Sequence, residues 1–497
     1  MTPKRRFPIP AMSAVVGFAV VLSGCAVGPD FKQPEAPAVS GYTPEPLGTT
    51  ASSDTPAGAP QLFMTGKTIA ADWWTLFKSP ALNSLVEQAV KNNPDLQAAS
   101  ANLRQAQELQ RAQFAILLPS VDGKFAASRQ KNFAAFGGGG AASIPPYTIA
   151  TASVAVSYGL DIWGGARRSY EGTRAQTDQI RFQMEAAHLA VTSNTVAAAM
   201  QQASLRAQLE ATQTILDVQE QQLGVLRNQL QLGAVAEADV LTQQTALAQT
   251  RALLPPIQKQ LAQVNSQILA LAGRFPDDKL SENFDLSALQ LPEELPVSLP
   301  SDLVTQRPDI RASEANLRSA NAQIGLATAL MLPQISLDAN YGASGSTVSQ
   351  LFNAGTTVWG LSAGLLQPIF HGGELLHKRR AAVAAFDAAS AQYRGTVLSA
   401  FKDVSDVLRA LQIDAEAVKA QLEAERAAAN SLTIAQNSYK SGAVNFLILL
   451  DAQRTYQQTR AALVQAQANR YADTAALFVA LGGGWWNRAD MTASANE

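Results

Sequence analysis

Residues 233–251 read GAVAEADVLTQQTALAQTR, and residues 442–460 read GAVNFLILLDAQRTYQQTR. Eight of these nineteen positions are identical, including the opening Gly-Ala-Val and the closing Gln-Thr-Arg. The acids differ between the copies, since Asp451 of the second aligns with Thr242 of the first. The chain therefore carries one segment twice, with a difference in charge between the copies.

The repetition extends well beyond this segment. Residues 93–122 align without a gap to residues 307–336, which places Pro94 opposite Pro308. The copies lie about 210 residues apart, a period far longer than that of a solenoid repeat. We therefore expect two copies of one structural unit, related by a pseudo-symmetry axis.

The N-terminus has the features of a secretory signal. Basic residues at 4–6 precede an apolar run at 11–22, which is too short for a membrane-spanning helix. The following Leu-Ser-Gly-Cys resembles a bacterial lipobox, in which Cys25 becomes the lipidated first residue; an ordinary signal peptide with an incidental cysteine is the alternative. Removal of the leader leaves 35 basic against 40 acidic residues, which gives no basic excess for binding nucleic acid.

Each half predicts the same order of elements. An amphipathic helix (80–117 or 299–331) precedes a pair of strands, a long helix, a turn and a shorter returning helix. The long helices, at 166–231 and 374–440, contain no proline, and each would measure roughly 100 Å. Long soluble helices are typical of coiled coils. A Pro-Pro pair at 255–256 interrupts only the first returning helix, so we expect that helix to bend.

Alternation of apolar with small or polar residues predicts four strands, at 121–128, 154–162, 335–343 and 356–366. The pattern fits a membrane strand between lipid and water, and equally a half-buried strand of a soluble sandwich. The lipobox favours the membrane. Four strands cannot close a barrel and an open edge cannot lie in hydrocarbon, so other copies must complete it. Two chains would give eight strands and three would give twelve.

The basic residues that follow the strand-to-helix junctions are a candidate contact with membrane lipid. They are Arg167 and Arg168 in the first half, and Lys378, Arg379 and Arg380 in the second. Facing the inner leaflet, they would meet lipid phosphates. A solvated basic face fits the same pattern.

Several segments together resemble the outer-membrane factor family of efflux systems, the TolC-like proteins, and especially their lipoprotein OprM/NodT-like branch. They are CAVGPDFKQPEAP (25–37), WWTLFKSPALNSLVEQAVKNNPDLQAA (73–99), LPQISLDANYG (332–342), SGAVNFLILLDAQR (441–454) and GGGW (482–485). The resemblance implies an α+β membrane protein. Each tandem-duplicated protomer would contribute four β-strands to an oligomeric outer-membrane β-barrel and long helices to a periplasmic α-barrel, as a homotrimer. Ala26 after the cysteine favours sorting to the outer membrane.

On this interpretation the chain divides into five segments. These are a signal peptide (1–24), a lipidated extended segment (25–72), repeat 1 (73–297), repeat 2 (298–485) and a polar tail (486–497).

Each Gly-Ala-Val should form the turn between a long helix and its returning helix, since glycine permits the reversal. The resemblance implies that these turns dock a periplasmic adaptor protein. The predicted docking residues are Gly233, Ala234, Val235, Gly442, Ala443 and Val444. The alternative is that they are only well-formed helix caps.

The same resemblance assigns a gate. Asp451 would form an acidic ring at the pore constriction, favouring cations, although a solvated acid on a helix face is the alternative. Ile448, one turn earlier, replaces a second acid of some relatives, which makes the constriction partly hydrophobic. Asp239 and Tyr439 match a pair that holds the closed state, whereas Val444 stands where relatives have a locking arginine.

The sequence gives no sign of catalysis. Its three histidines, His188, His371 and His377, lack the spacing of a helical metal pair, and no nucleophile motif occurs. We expect no enzyme activity, no cofactor and no metal.

The predicted function is a passive exit duct for drugs or small toxic compounds. An inner-membrane pump, of the resistance-nodulation-division type, would supply the energy through the adaptor. Two alternatives are the exit duct of a type I protein secretion system and a non-conducting lipoprotein coiled-coil scaffold.

Overall fold

The computed structural model describes residues 26–131, 133–134, 142–143, 145–280 and 282–488. The predicted signal peptide, Cys25 and most of the polar tail lie outside these residues. The described chain divides into two compact units. One comprises the residues up to Gln33, Leu103–Ile180 and Ser313–Tyr393; the other comprises Pro34–Asn102, Arg181–Ala312 and the residues from Arg394 onward.

The elements are numbered along the chain. The helices are α1 (Pro80–Asn92), α2 (Pro94–Ala115), α3 (Gly165–Gln231), α4 (Glu237–Arg251), α5 (Leu254–Leu271), α6 (Pro300–Gln306), α7 (Pro308–Ala329), α8 (Glu374–Lys440) and α9 (Phe446–Ala480). The strands are β1 (Leu62–Thr65), β2 (Ser120–Gln130), β3 (Phe133–Ala134), β4 (Ala142–Ser143), β5 (Tyr147–Leu160), β6 (Glu294–Val297), β7 (Gln334–Gly345) and β8 (Thr357–Leu366).

The first unit contains a four-stranded antiparallel sheet of order β2-β5-β7-β8. The four predicted strands are confirmed, although β5 begins at Tyr147, seven residues before the alternation becomes regular. Strands β3 and β4 pair with each other as a separate short ladder.

The pairing register places like residues on the same face of this sheet. Ser157 lies opposite both Ser120 and Asp338, and its hydroxyl donates to Asp338 Oδ1 at 2.7 Å. Tyr341 lies opposite Val154 and Trp359 on the other face. One face is therefore polar with small side chains and the other apolar, as the alternation predicted.

The prediction of a single helix at 80–117 and at 299–331 is wrong, because each range contains two helices. Pro94 begins α2 and Pro308 begins α7. Asn93 and Arg307 before them are extended, at ψ 124° and 126°. Proline lacks an N–H and disfavours helical geometry in the residue before it, so the break recurs at the same place in both repeats.

The two long helices are confirmed almost to the residue: α3 and α8 each contain 67 residues. At Pro255-Pro256 the first returning helix is divided into α4 and α5, with the prolines in the first turn of α5. The second returning helix, α9, runs unbroken for 35 residues. Among the described residues, no helix combines the length and the hydropathy needed to cross a membrane.

The core of the second unit holds the N-terminal segment against α9. Trp73 stacks on Phe478 with ring centroids 5.3 Å apart, and both side chains are buried. Strand β1 pairs in parallel with β6. Arg470, fully buried, donates to the backbone oxygens of Ala57 and Ala59, each at 2.7 Å.

Candidate functional site

The candidate site is the pair of helix reversals in the second unit. Helix α3 ends at Gln231 and α4 begins at Glu237, while α8 ends at Lys440 and α9 begins at Phe446. The connecting residues, 232–236 and 441–445, contain the two Gly-Ala-Val copies. The sequence repeat is therefore also a repeat of local structure.

Both reversals use the same backbone geometry. Gly233 and Gly442 each have φ +76°, in the left-handed region. The N–H of Gly233 donates to Leu230 O at 2.9 Å, and that of Gly442 to Tyr439 O at 3.0 Å. Ala234 and Ala443 each donate to the residue five positions earlier, at 2.8 Å. This pair of bonds is the Schellman motif, which satisfies the last carbonyls of a helix.

The surface of the turns is small and apolar. Gly233, Ala234, Gly442 and Ala443 are exposed, while the two valines, Val235 and Val444, are half-buried. A Cβ added to either glycine would meet nothing within 4 Å. The glycines are therefore required for backbone conformation and not for lack of space.

A hydrophobic core lies beneath both turns. It unites residues from α3 and α4 with residues from α8 and α9: Leu216, Leu223, Leu226, Val240, Ala246, Leu247, Ala435, Phe446, Leu449, Leu450 and Ala452. Val235 packs against the same core. The two helical hairpins are thus one packed body, which fixes the turns relative to each other.

Tyr439 lies at the edge of this core. Its ring contacts Phe446 edge-to-face, with centroids 5.9 Å apart, and its hydroxyl donates to Gln229 Oε1 at 3.4 Å. Burial raises the pKa of Tyr439, and the negative charge of Asp239 raises it further. Asp239 is half-buried in the first turn of α4. The structure brings the predicted latch residues into one neighbourhood, with Gln229 as the hydroxyl's partner.

Asp451 and Ile448 lie on the face of α9 that points away from the core. Both are exposed, whereas Leu449, Leu450 and Ala452 are buried. Asn445 caps the helix by accepting from the Ile448 N–H at 3.2 Å. An acid and a large apolar side chain one turn apart are therefore presented together, free to face other copies of the chain.

Sequence reasoning missed two groups in this unit. Gln229, the partner of Tyr439, aligns with Ser438 in the second repeat, so the comparison of copies gave no signal. Asp414 and Asp473 form a side-chain contact between α8 and α9 that has no counterpart in the first repeat. Within the described residues, no group of three or more His, Cys, Asp or Glu side chains is arranged to hold a metal ion.

The family model for outer membrane efflux proteins matches residues 85–274 and again residues 299–483. The chain belongs to the outer membrane efflux protein family. The predicted resemblance is confirmed, and the double match reproduces the duplication seen in the sequence.

Individual outer membrane efflux proteins agree with this assignment. The toluene efflux pump outer membrane protein TtgC of Pseudomonas putida is 32% identical over 483 residues, which cover 96% of each protein. The pyoverdine export outer membrane protein OpmQ of the same species is 30% identical over 417 residues, 83% of this chain and 88% of that protein. The structure of the outer-membrane channel OprN superposes with a TM-score of 0.82 at 27% identity, covering 93% of this chain and 100% of that one.

Membership of the outer membrane efflux protein family confirms the predicted fold class. The chain is an α+β membrane protein and a tandem-duplicated protomer. It contributes four strands to an oligomeric outer-membrane barrel and its long helices to a periplasmic helical barrel.

Proposed function

We propose that this chain is the outer-membrane channel subunit of a tripartite efflux system, a passive exit duct for drugs or small toxic compounds. The observation that carries the proposal is the family match over both repeats. Relatives named for export of toluene and of pyoverdine support small organic molecules as the substrate class. The sheet's polar face, with small residues such as Ser157 and Gly342, suits a wide aqueous lumen rather than a selective pocket.

The duct is a homotrimer. Within the described part of the chain, β2 and β8 each pair on one side only, so each leaves a row of backbone donors and acceptors open. Hydrocarbon offers those groups no partner, and pairing β8 of one copy with β2 of the next satisfies them. Three copies give twelve strands, a closed barrel wide enough for an aqueous channel.

The two Schellman turns dock a periplasmic adaptor, which links the duct to an inner-membrane pump of the resistance-nodulation-division type. The geometry allows docking to be tested apart from folding. Asparagine tolerates the left-handed region, and a Cβ added at Gly442 would meet nothing within 4 Å. We expect Gly442→Asn to fold, to form trimers and to lose site-specific cross-linking to the adaptor. Unchanged cross-linking would assign the turn to capping alone.

Asp451 and Ile448 form the constriction, and Asp239 and Tyr439 hold the closed state. The hydroxyl of Tyr439 is the testable part of the latch, because Tyr439→Phe keeps the ring contact with Phe446 and removes only the hydrogen bond. We expect the variant to show a larger fraction of open time in single-channel records. Tyr456→Phe, which changes another half-buried tyrosine, on α9, is the matched control.

Lipidation at Cys25 anchors the chain to the outer membrane. The lipobox supports this assignment. Mass spectrometry of the mature N-terminus tests this assignment, and we expect a diacylated or triacylated Cys25. An unmodified cysteine would refute the lipid anchor but would leave the proposal of an efflux channel unaffected.

Single-channel conductance of the purified protein in a planar bilayer tests the function itself. We expect small, cation-preferring channels, with the cation preference reduced in Asp451→Ala. If the substitution leaves the conductance and the cation preference unchanged, the protein is a channel whose constriction does not include Asp451. Silence in the wild type that persisted in Tyr439→Phe combined with Asp239→Ala would favour a non-conducting scaffold.

A further inference from the structure

The five basic residues at the strand-to-helix junctions differ in what they contact. The side chain of Arg168 is only 6% exposed; it bonds to Asp30 at 2.7 Å and Glu171 at 2.8 Å, and donates to the backbone oxygen of Val27. Its predicted role as a lipid contact is therefore wrong, because Arg168 holds residues 27–30 against α3. Arg167 is bonded to the Asp161 carboxylate at 3.1 Å.

At the second junction, one of the three basic residues forms an ion pair among the described residues and two do not. Lys378 pairs with Glu374 at 2.5 Å. Arg379 and Arg380 are exposed, and neither has a carboxylate partner among the residues that the structure describes. Two consecutive arginines are therefore exposed to solvent and lack the ion pairs that hold Lys378, Arg167 and Arg168.

These arginines follow an exposed apolar segment. Strand β8 ends at Leu366, and the next large side chains, Ile369 and Phe370, are 93% and 85% exposed. They continue from the apolar face of the sheet, where Trp359 and Leu361 are also exposed. A contiguous group of exposed apolar side chains marks a surface that contacts a membrane or a partner protein.

The distances fit a lipid headgroup layer. Arg379 and Arg380 lie five and six residues into α8 from Glu374, about 8–9 Å along the helix. The headgroup region on each side of the hydrocarbon is roughly 5–8 Å thick. Helix α8 begins at the end of the sheet where β5 and β8 finish and β2 and β7 start, the end at which all four strands join helices.

We propose that Arg379 and Arg380, together with the exposed Ile369–Phe370 segment, bind the phosphates of anionic phospholipids in the inner leaflet of the outer membrane. Guanidinium groups bind phosphate oxygens in a bidentate manner, and apolar side chains beside them contact the acyl chains. The site rests on the proposed function, since it requires the sheet to lie in the outer membrane. A lipid fits this surface better than a second copy of the chain, because the patch joins a cationic pair directly to a lipid-facing sheet.

Native mass spectrometry tests the site on the purified full-length protein. The protein is titrated with phosphatidylglycerol and with phosphatidylcholine of the same acyl chains. We expect phosphatidylglycerol to be retained preferentially, and the preference to fall about tenfold or more in Arg379→Gln/Arg380→Gln. Arg409→Gln is the matched control, since Arg409 is an exposed arginine much farther along α8. It should leave the preference unchanged.

Each other outcome overturns the site. Equal retention of the two lipids by the wild type would do so, as would an unchanged preference in the double variant. Loss of the trimer in the double variant would assign the arginines to contacts between protomers. Conductance of the same samples separates this proposal from the proposed function: conducting protein without lipid preference refutes only the lipid site.

Discussion

Asp414 on α8 and Asp473 on α9 bring two carboxyl groups into hydrogen-bonding contact. Two ionised carboxylates cannot donate to each other, and the buried Oδ2 atom of Asp414 has no donor facing it among the described residues. A proton shared by the pair supplies the missing donor. Burial, and next the contact with Asp473, raise the pKa of Asp414 to about 7, while the nearby Arg470 acts in the opposite direction.

This pair predicts a stability that depends on pH. The pKa of Asp414 is about 7 in the folded chain, against an ordinary value of 3.8. Between these values the folded state binds more protons than the unfolded state. The free energy of unfolding therefore falls as the pH rises from about 4 to about 7, and levels off above. We expect a lower melting temperature at pH 8 than at pH 5.

Asp414→Asn tests the assignment of this effect. Its amide supplies a permanent donor to Asp473, so we expect the melting temperature at pH 8 to rise and the difference between pH 5 and pH 8 to shrink. Asp387→Asn, which changes an exposed acid on the same helix, is the control. If the melting temperature of Asp414→Asn depends on pH as strongly as that of the wild type, other groups cause the pH dependence.

The backbone conformations of Gly442 and Gly224 predict opposite effects on stability when each glycine is replaced by alanine. Gly442→Ala forces a side chain into φ +76° and should destabilise the turn by about 1 kcal/mol or somewhat more. Gly224→Ala, in an exposed interior turn of α3 with open space around it, should stabilise the helix by about 1 kcal/mol. Thermal unfolding of the two variants measures both. A loss of stability in both would contradict the account based on φ.

The sequence contained enough to predict most of this fold. The absence of proline defined α3 and α8, and the alternation around Asp338 and Tyr341 defined the sheet. The breaks at Pro94 and Pro308 were missed because the apolar periodicity continues through them. The rule that disfavours helix before proline carried the correct signal.

The contacts between distant segments were beyond sequence reasoning. Arg168 is polar and lies at a junction, so a lipid contact was reasonable until Asp30, far away in sequence, proved to be its partner. The Asp414–Asp473 pair joins two helices at positions where the first repeat has Leu205 and Val264. Internal repetition predicts what the copies share, and these contacts are what they do not share.

The buried Arg470 holds residues 50–59 against α9, which leads to a prediction about their stability. Its guanidinium donates to Ala57 O, Ala59 O and the Thr50 hydroxyl, all from one segment. Arg470→Ala leaves the buried Ala57 O without its donor. The exposed Ala59 O can bond to water, and the Thr50 hydroxyl still accepts from the Gln61 N–H, so we expect a cost of roughly 2–3 kcal/mol. We expect limited proteolysis to cut within residues 50–61 much faster in this variant, with the fragments identified by mass spectrometry. Arg454→Ala, an exposed arginine on α9, should retain the wild-type rate.

The proposed constriction at Ile448 and Asp451 leads to a prediction about a second acid there. It aligns with Asp239 of the first repeat and lies one turn before Asp451 on the same exposed face of α9. Ile448→Asp would place two acids per chain around the pore, so we expect several-fold stronger cation preference and stronger block by Mg²⁺ in planar bilayers. Leu447→Asp adds the same charge about 100° around the helix and should have a smaller effect. Equal effects of the two substitutions would mean that added charge acts through the general field of the pore, and that Ile448 does not line its narrowest point.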